Sequence, residues 1–200
     1  QAVHYGGDSG DEPNYRKGKL YFYNNTFYSI RAGNSVVMRL STNEEQCDAR
    51  NNIFFNTAAG TSLAMLAEAG TLTLANNWAK AGWRNSHEGG AFTGSVSGGG
   101  TMITGTSPGF VDPANQDFRL QPPSTAIDAG TTLHTDVVLL YPVLRQYVLH
   151  QSSSTRPSSG PLDLGAFEYA AAAPMQITTN GLPDPVRIRP YWQTLQASGG

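Results

Sequence analysis

The chain has 200 residues, of which 39% are hydrophobic and 14% charged, and it contains 22 glycines. This composition indicates one turn-rich, all-β domain with room for a tail, rather than a helical protein. A net charge of −2 excludes the basic footprint of a nucleic-acid-binding protein, and a single cysteine excludes a disulfide framework and a cysteine-rich zinc site. No apolar run reaches the roughly 18 residues of a membrane span.

The first 19 residues have the composition of a loop. Asp8, Asp11 and Glu12 lie in this loop, and carboxylate oxygens are ligands that calcium prefers. Two interpretations stay open, a Ca²⁺ site or a solvated acidic loop, and the sequence suggests no other cofactor. The chain begins at Gln1 rather than Met, as expected of a mature, trimmed or partial polypeptide.

A nine-residue phrase occurs three times between residues 20 and 80. Its copies read LYFYNNTFY, CDARNNIFF and LTLANNWAK, and their second asparagines, Asn25, Asn52 and Asn77, stand 27 and 25 residues apart. A period of about 20–50 residues is typical of solenoids and propellers. Alternating apolar residues before each asparagine pair predict a strand, and the pair predicts a turn because Asn tolerates left-handed backbone geometry.

A second match separates a solenoid from simple hairpins. Alternating apolar residues follow the first two asparagine pairs at the same offset: Val36, Met38 and Leu40, then Leu63, Met65 and Ala67. Stacked coils would place like residues about 4.8 Å apart, so we expect Asn25, Asn52 and Asn77 to form a buried ladder of side-chain amides. Hairpin turns of a β-sandwich are the alternative, but they leave the second match unexplained. The same alignment makes Cys47 a small core residue.

These phrases resemble coils of the right-handed parallel β-helix proteins of the pectate-lyase-like superfamily. The later stretches SPGFVDP, DFRL, AIDAG and DLGAFE resemble the C-terminal end of secreted bacterial members. The resemblance implies an all-β, right-handed parallel β-helix (solenoid) of about three coils with an irregular C-terminal cap and an extended tail. The expected segments are a loop at 1–19, coils at 20–106, a cap at 107–169, and a linker and tail at 170–200.

Two further expectations concern the cap. Residues 152–161 are rich in Ser, Pro and Gly, and this composition predicts a loop. Residues 162–169 are expected to return a strand to the body of the solenoid.

Many members of that superfamily cleave acidic polysaccharides by β-elimination. The resemblance therefore implies a cation beside the uronate carboxylate and a base beside the departing proton. Tyr28, Phe55 and Lys80 occupy equivalent places in successive coils and would share one face, which the loop at 82–90 overhangs. Ordinary surface side chains are the alternative interpretation. The candidate ligand-binding residues are Tyr28, Arg31, Arg39, Lys80, Arg84 and His87.

The catalytic motifs of known members are absent. The chain has neither the paired aspartates of polygalacturonases nor the Lys-Ser and Arg-His-Gly elements of alginate-lyase-like β-helices. The first hypothesis is therefore an extracellular or cell-surface β-helix that binds or processes polysaccharide, as part of a polysaccharide lyase-like or glycoside hydrolase-like protein. Whether it is an enzyme stays open.

The alternative hypothesis is a non-catalytic surface protein that assembles head to tail. Residues 1–19 are too polar to cover a core that begins at Leu20, and a solenoid end needs a cover. Two covers stay open: preceding chain of a longer β-helix, or a neighbouring subunit. Strand-like runs at 175–179 and 186–189 would add to the exposed edge of a neighbouring copy, giving oligomers or filaments.

Overall fold

The computed structural model describes residues 1–171, 176–178, 194 and 197–198. The chain divides into two compact units, residues 1–169 and 170–200. In the second unit, Gln176–Ile177 pairs antiparallel with Ala197–Ser198. The strand-like run expected at 186–189 lies outside the described residues, as does part of the run at 175–179.

Three parallel sheets form the walls of a solenoid in the first unit. Sheet A contains β1 (Val3–Tyr5), β4 (Ser35–Leu40) and β7 (Leu63–Glu68). The prediction that residues 1–19 are loop throughout is therefore wrong, because Val3–Tyr5 pairs parallel with β4. Sheet B contains β2 (Gly18–Tyr23), β5 (Glu45–Arg50), β8 (Thr71–Ala75) and β10 (Ser95–Ser97). Sheet C contains β3 (Thr26–Ser29), β6 (Ile53–Asn56), β9 (Trp78–Lys80) and β11 (Ile103–Gly105). The chain passes from sheet B to C to A in each coil, so the predicted all-β solenoid of about three coils is confirmed.

The asparagine pairs turn the chain from sheet B into sheet C. The first asparagine of each pair is left-handed, with φ of 52° at Asn24, 55° at Asn51 and 48° at Asn76. The second asparagines form the predicted ladder, because Asn25 Nδ2 donates to Asn52 Oδ1 at 3.1 Å and Asn52 Nδ2 donates to Asn77 Oδ1 at 2.8 Å. Stacked amides thus satisfy polar groups that the corner would otherwise bury unpaired.

One detail of the predicted register is wrong in sheet A. Sheets B and C keep the 27-residue offset, with Leu20 opposite Cys47 and Tyr28 opposite Phe55. In sheet A, however, Val36 lies opposite Ala64 rather than Leu63. The loop between β6 and β7 is one residue longer than the loop between β3 and β4, and this extra residue shifts the following strand.

The solenoid interior is filled by the inward residues of the three sheets. Leu40, Leu63 and Met65 are fully buried, and Cys47 is 1% exposed, as predicted for a core residue. Burial raises the pKa of the Cys47 thiol to about 12, so the residue behaves as a small apolar side chain. Beyond the third coil, Trp83, Phe92 and Met102 pack against this interior and close its C-terminal end.

The C-terminal cap, residues 107–169, lies along the side of the solenoid. Its apolar residues Phe110, Leu120 and Leu164 form a second core with the outward-facing Ile53 and Trp78 of sheet C. The cap contains two antiparallel hairpins and a helical turn: β12 (Phe110–Asp112), β13 (Asp117–Leu120), α1 (Thr135–Val138), β14 (Arg145–Val148) and β15 (Ser152–Thr155).

Two expectations for the cap are wrong. Residues 152–155 form β15 because they pair with β14, which their loop-like composition did not indicate. Residues 162–169 form no strand. They return to the body as irregular chain, held by a buried ion pair between Arg156 Nε and Glu168 Oε2 at 2.8 Å.

The cap also binds the column of first asparagines. Asn24 Nδ2 donates to the Asp163 carbonyl at 3.0 Å, and Asn51 Nδ2 donates to the Thr131 carbonyl at 2.7 Å. Cap and coils therefore share hydrogen bonds as well as apolar contacts. Among the described residues, no helix has the length and apolar character to cross a bilayer.

Candidate functional site

An open groove of about 670 Å³ crosses the loops that lead from sheet C to sheet A. All three coils contribute to it, with Asn34 from the first loop, Thr61 and Ser62 from the second, and residues 84–89 from the third. Most of these side chains are polar, and Phe92 supplies an aromatic ring. The loop groove, as we call it, is lined by Asn34, Thr61, Ser62, Arg84, Asn85, Ser86, His87, Glu88, Gly89 and Phe92.

Backbone hydrogen bonds hold the third loop in place. Arg84 N donates to the Leu63 carbonyl at 2.8 Å, and Met65 N donates to the Arg84 carbonyl at 3.0 Å, so residue 84 adds a short parallel bridge to β7. Glu88 Oε2 accepts from Glu68 N at 2.6 Å. The groove wall is therefore fixed to the edge of sheet A before any ligand arrives.

Arg84 is the exposed cation of this wall. No carboxylate among the described residues lies within ion-pair distance of its guanidinium. An unpaired guanidinium offers a planar fork of donors that matches a carboxylate. Arg31 is also exposed and lies in the same loop as Asn34.

His87 is fixed in one tautomer by its surroundings. Its Nε2 lies 3.1 Å from the Thr61 carbonyl, which can only accept, so Nε2 carries a proton. Its Nδ1 is buried and has no partner among the described residues. The ring thus ties the third loop to the second. Nε2 is engaged with the Thr61 carbonyl, and burial shields Nδ1 from a ligand in the groove.

Arg39 is committed to two carboxylates outside the groove. Its Nη1 lies 2.6 Å from Asp8 Oδ1 and its Nε lies 2.7 Å from Glu68 Oε1. The ion pair with Glu68, followed by the one with Asp8, raises the pKa of this arginine above its ordinary value. A residue neutralised in this way is poorly suited to bind a uronate.

The face shared by Tyr28, Phe55 and Lys80 is confirmed, but the cap covers it. The ring of Tyr28 stacks on Phe55 with centroids 5.4 Å apart and also contacts Phe110 and Phe118 of the cap. Lys80 Nζ lies 4.6 Å from the centre of the Phe55 ring. These aromatics therefore belong to the second core rather than to a sugar-stacking surface.

The six candidate residues therefore do not gather on one surface. Tyr28 and Lys80 belong to sheet C and Arg39 to sheet A, while Arg84 and His87 alone line the loop groove. The loop at 82–90 lies beside β7 of sheet A and does not overhang the face of Tyr28.

The three N-terminal carboxylates are also separately engaged. Asp8 pairs with Arg39, Asp11 accepts from the side chain of Asn14, and Glu12 begins a 3₁₀ turn. Within the described residues, no group of three or more His, Cys, Asp or Glu side chains is placed to hold a metal ion. The structure gives the calcium interpretation no site there.

One cluster that the sequence analysis missed joins a serine, a histidine and an aspartate. Ser41 Oγ lies 2.8 Å from His4 Nε2, and His4 Nδ1 lies 3.2 Å from Asp8 Oδ2. A nucleophile needs room for a carbonyl, yet Gly7 N and the Gly7 carbonyl already contact Ser41 Oγ at 3.1 and 3.0 Å. This cluster fastens β1 and the following loop to the first coil.

Sequence reasoning also missed Asn34, Thr61 and Ser62. The signal was available in principle, because each lies in the loop just before the second repeated strand, β4 or β7, and stacked loops of a solenoid share one side. No family model, curated protein or solved structure matches this chain.

Proposed function

We propose that this protein binds an extended acidic polysaccharide in the loop groove. The observation that carries the proposal is that polar loop residues from three successive coils line one continuous groove, with the unpaired cation Arg84 in its wall. A groove parallel to the solenoid axis suits a linear chain of sugars. Hydroxyl and amide side chains suit sugar hydroxyls, and the guanidinium suits a uronate carboxylate.

Binding is favoured over cleavage because, among the described residues that line the groove, the histidine and the carboxylate are both already engaged or shielded. His87 has one nitrogen on the Thr61 carbonyl and the other buried, and Glu88 accepts from the backbone of Glu68. β-Elimination needs a group that takes the proton beside the carboxylate. The proposal therefore places polysaccharide recognition, rather than lyase or glycoside hydrolase chemistry, in this chain.

The test compares a uronate oligosaccharide with a neutral oligosaccharide of similar length by isothermal titration calorimetry. We expect the full chain to prefer the acidic ligand. Arg84→Gln should weaken that binding about tenfold or more, since a hydrogen bond to a charged group contributes about 1.5–3 kcal/mol. Arg16→Gln is the matched control, because Arg16 is also exposed but lies outside the groove.

Three results would count against the proposal. Equal affinity for the acidic and neutral ligands would show that charge does not contribute to binding. Unchanged affinity in Arg84→Gln would show that the loop groove is not the binding site. Release of an unsaturated product, detected by its ultraviolet absorbance, would show that the protein cleaves the polysaccharide rather than only binding it.

The proposal agrees with the resemblance to secreted bacterial members of the pectate-lyase-like superfamily. An extracellular or cell-surface location, where such polysaccharides occur, is part of the same proposal. That resemblance supports it only through the fold, and one fold serves many functions.

Head-to-tail assembly of copies is a second candidate. The outer edges of β2 and β3 have no partner strand among the described residues, which favours it. Against it, Trp83, Phe92 and Met102 cover the interior at the other end, where only the short edge strands β10 and β11 are left unpaired among the described residues. Light scattering with and without residues 170–200 tests it, and a monomer in both forms would exclude it.

A further inference from the structure

Exposed apolar side chains concentrate in one stretch of the cap. Of the nine large hydrophobic residues that are exposed in the described part of the chain, seven lie between residues 139 and 149, and such a concentration marks an interaction surface. Leu139 is 87% exposed and Leu140 is 72% exposed, so both project far into solvent. The exposed apolar residues of this stretch, which we call the cap ridge, are Leu139, Leu140, Tyr141, Leu144, Tyr147, Val148 and Leu149.

Hydrogen bonds hold the backbone of the cap ridge in place. Tyr141 N donates to the Val137 carbonyl at 2.7 Å, and the Tyr23 hydroxyl donates to the Tyr141 carbonyl at 3.1 Å. Farther along, Arg156 N donates to the Leu144 carbonyl at 3.0 Å. The ridge therefore presents its apolar side chains from a backbone that is tied both to the first coil and to the rest of the cap.

The apolar surface of the ridge is narrow. In the hairpin, Tyr147 lies opposite Ser153 and Val148 lies opposite Ser152, so the apolar residues of β14 are paired with a strand of serines. Interfaces between proteins place their strongest contacts in the centre of a broad, well-packed patch. A protruding apolar strip with a polar strand beside it lacks such a centre.

The relief around the ridge suits a deformable partner. Residues of the ridge also line open hollows of about 290, 510 and 520 Å³. A protein would need a matching shape to fill both the hollows and the space around the protruding leucines. Acyl chains are flexible and can do so without one.

The charges of this region complement an anionic surface. Between Asp136 and Asp163 the sequence has no Asp or Glu, whereas Arg145 and His150 are both exposed. The guanidinium of Arg145 donates to Ser153 and lies within ion-pair distance of no carboxylate in the described residues. The segment can therefore approach lipid phosphates without repulsion, and Arg145 adds attraction.

We propose that the cap ridge binds an anionic lipid surface, with its leucines among the acyl chains and its tyrosines at the level of the headgroups. Tyrosine suits this boundary because its ring is apolar and its hydroxyl is polar. Binding of this kind draws on buried apolar area and on attraction between cations and anionic lipids. The ridge shares no residue with the loop groove, so this proposal does not depend on polysaccharide binding.

Vesicle sedimentation with the full chain tests the proposal. We expect tighter binding to vesicles of phosphatidylcholine with about a quarter phosphatidylglycerol than to vesicles of phosphatidylcholine alone, and high salt should reduce this preference. The anionic vesicles should slow amide hydrogen exchange in residues 139–149. The hairpin of β12 and β13 should exchange at its original rate.

A double variant removes the most exposed part of the ridge. Leu139→Ser combined with Leu140→Ser should weaken binding to the anionic vesicles about tenfold or more, an effect that burial of a single leucine side chain would supply. Because both side chains are exposed, the variant should melt with the parent chain. Ile30→Ser is the matched control, since Ile30 is 78% exposed but lies between β3 and β4, and it should bind as the parent does.

Arg145→Gln tests the electrostatic part separately. One arginine near an anionic membrane surface contributes enough attraction to change affinity about fivefold. We expect this variant to lose about that much affinity for the anionic vesicles and none for the neutral ones.

Five outcomes overturn the proposal. They are absence of vesicle binding, equal affinity for anionic and neutral vesicles, undiminished binding by the double serine variant, and an equal loss in Ile30→Ser. The fifth is exchange in residues 139–149 that is already slow without vesicles, since another part of the protein or a second copy would then cover the ridge.

Discussion

Asn52 occupies the middle of the ladder and is completely buried. Replacing it by Leu keeps its approximate size but leaves Asn25 N, the Phe22 carbonyl and Asn77 Oδ1 without this partner. An unsatisfied buried polar group costs about 1–3 kcal/mol. We expect Asn52→Leu to lower the free energy of unfolding by at least about 3 kcal/mol, measured by urea denaturation.

Asn76→Gly is the control for this experiment. Asn76 is the left-handed partner of Asn77, with a φ of 48°, and its side chain makes only a long contact of 3.5 Å with the Ala129 carbonyl. Glycine adopts this backbone freely, so the loss should stay near 1 kcal/mol or below. Similar losses in both variants would contradict a specific role for the ladder.

Asparagine was the residue that sequence reasoning interpreted best. Two asparagines side by side at a fixed period have one simple explanation, a left-handed turn followed by a stacked amide. Arg39 was interpreted less well, because nothing in the sequence indicates that Asp8 and Glu68, 31 and 29 residues away, would both reach it.

At the scale of elements, Arg156 organises the end of the cap. Its guanidinium pairs with Glu168 and also donates to the carbonyls of Asp163, Gly165 and Phe167. Arg156→Met would leave a buried carboxylate without its cation, which costs about 3–5 kcal/mol. We expect a loss of this size near neutral pH in chemical denaturation.

The pH dependence of this variant has a definite sign. Burial already raises the pKa of Glu168 above its ordinary 4.5, and removal of the arginine raises it further. A carboxyl whose pKa is higher in the folded state than in the unfolded state destabilises the fold at any pH where it is ionised. Protonation of the carboxyl removes this loss of stability. Arg156→Met should therefore recover part of its stability as the pH falls toward 4.5.

Arg145→Met is the matched control in the same hairpin region. Arg145 is exposed and donates to Ser153, so its loss should cost less than about 1 kcal/mol at any pH. A variant of Arg156 that is no less stable than this control would show that the buried pair is dispensable.

The elements of the coils could be predicted from the sequence, whereas those of the cap could not. Inside the coils each strand pairs with an equivalent strand of a neighbouring coil, so the period reveals most of them. The exception is β1, which lies in the segment predicted to be a loop. The hairpin of β14 and β15 has no repeat, and the exposed Leu139, Leu140 and Leu144 near it give no alternation that marks a buried face.

For the whole molecule, the two compact units suggest a simple dissection. Removing residues 170–200 should leave the melting temperature of the first unit unchanged within about 2 °C, because that unit contains both cores. Ending the chain at residue 106 should instead cause aggregation, since Ile53, Phe55 and Trp78 would face water. Thermal melts and size-exclusion chromatography measure both.

A soluble, monomeric 1–106 fragment would contradict this account of the cap.

The candidate site, too, could be predicted from the sequence only in part. Arg84 and His87 were found from the sequence because they lie in one unusual loop, but their true neighbours come from loops of other coils. Only the stacking of coils in three dimensions reveals those neighbours.

The hydrogen bond between Asn24 and Asp163 joins residues that are 139 positions apart. On a ribosome the first coil is therefore complete long before the segment that covers its side exists. At about 5–20 residues per second, that delay is on the order of ten seconds. A solenoid can in principle grow coil by coil. In this one, however, Ile53, Phe55 and Trp78 stay exposed on the side of the coils until the cap residues that cover them have been synthesised. The nascent chain thus passes through a stage at which a chaperone, or another unfinished copy, competes with its own C-terminal residues.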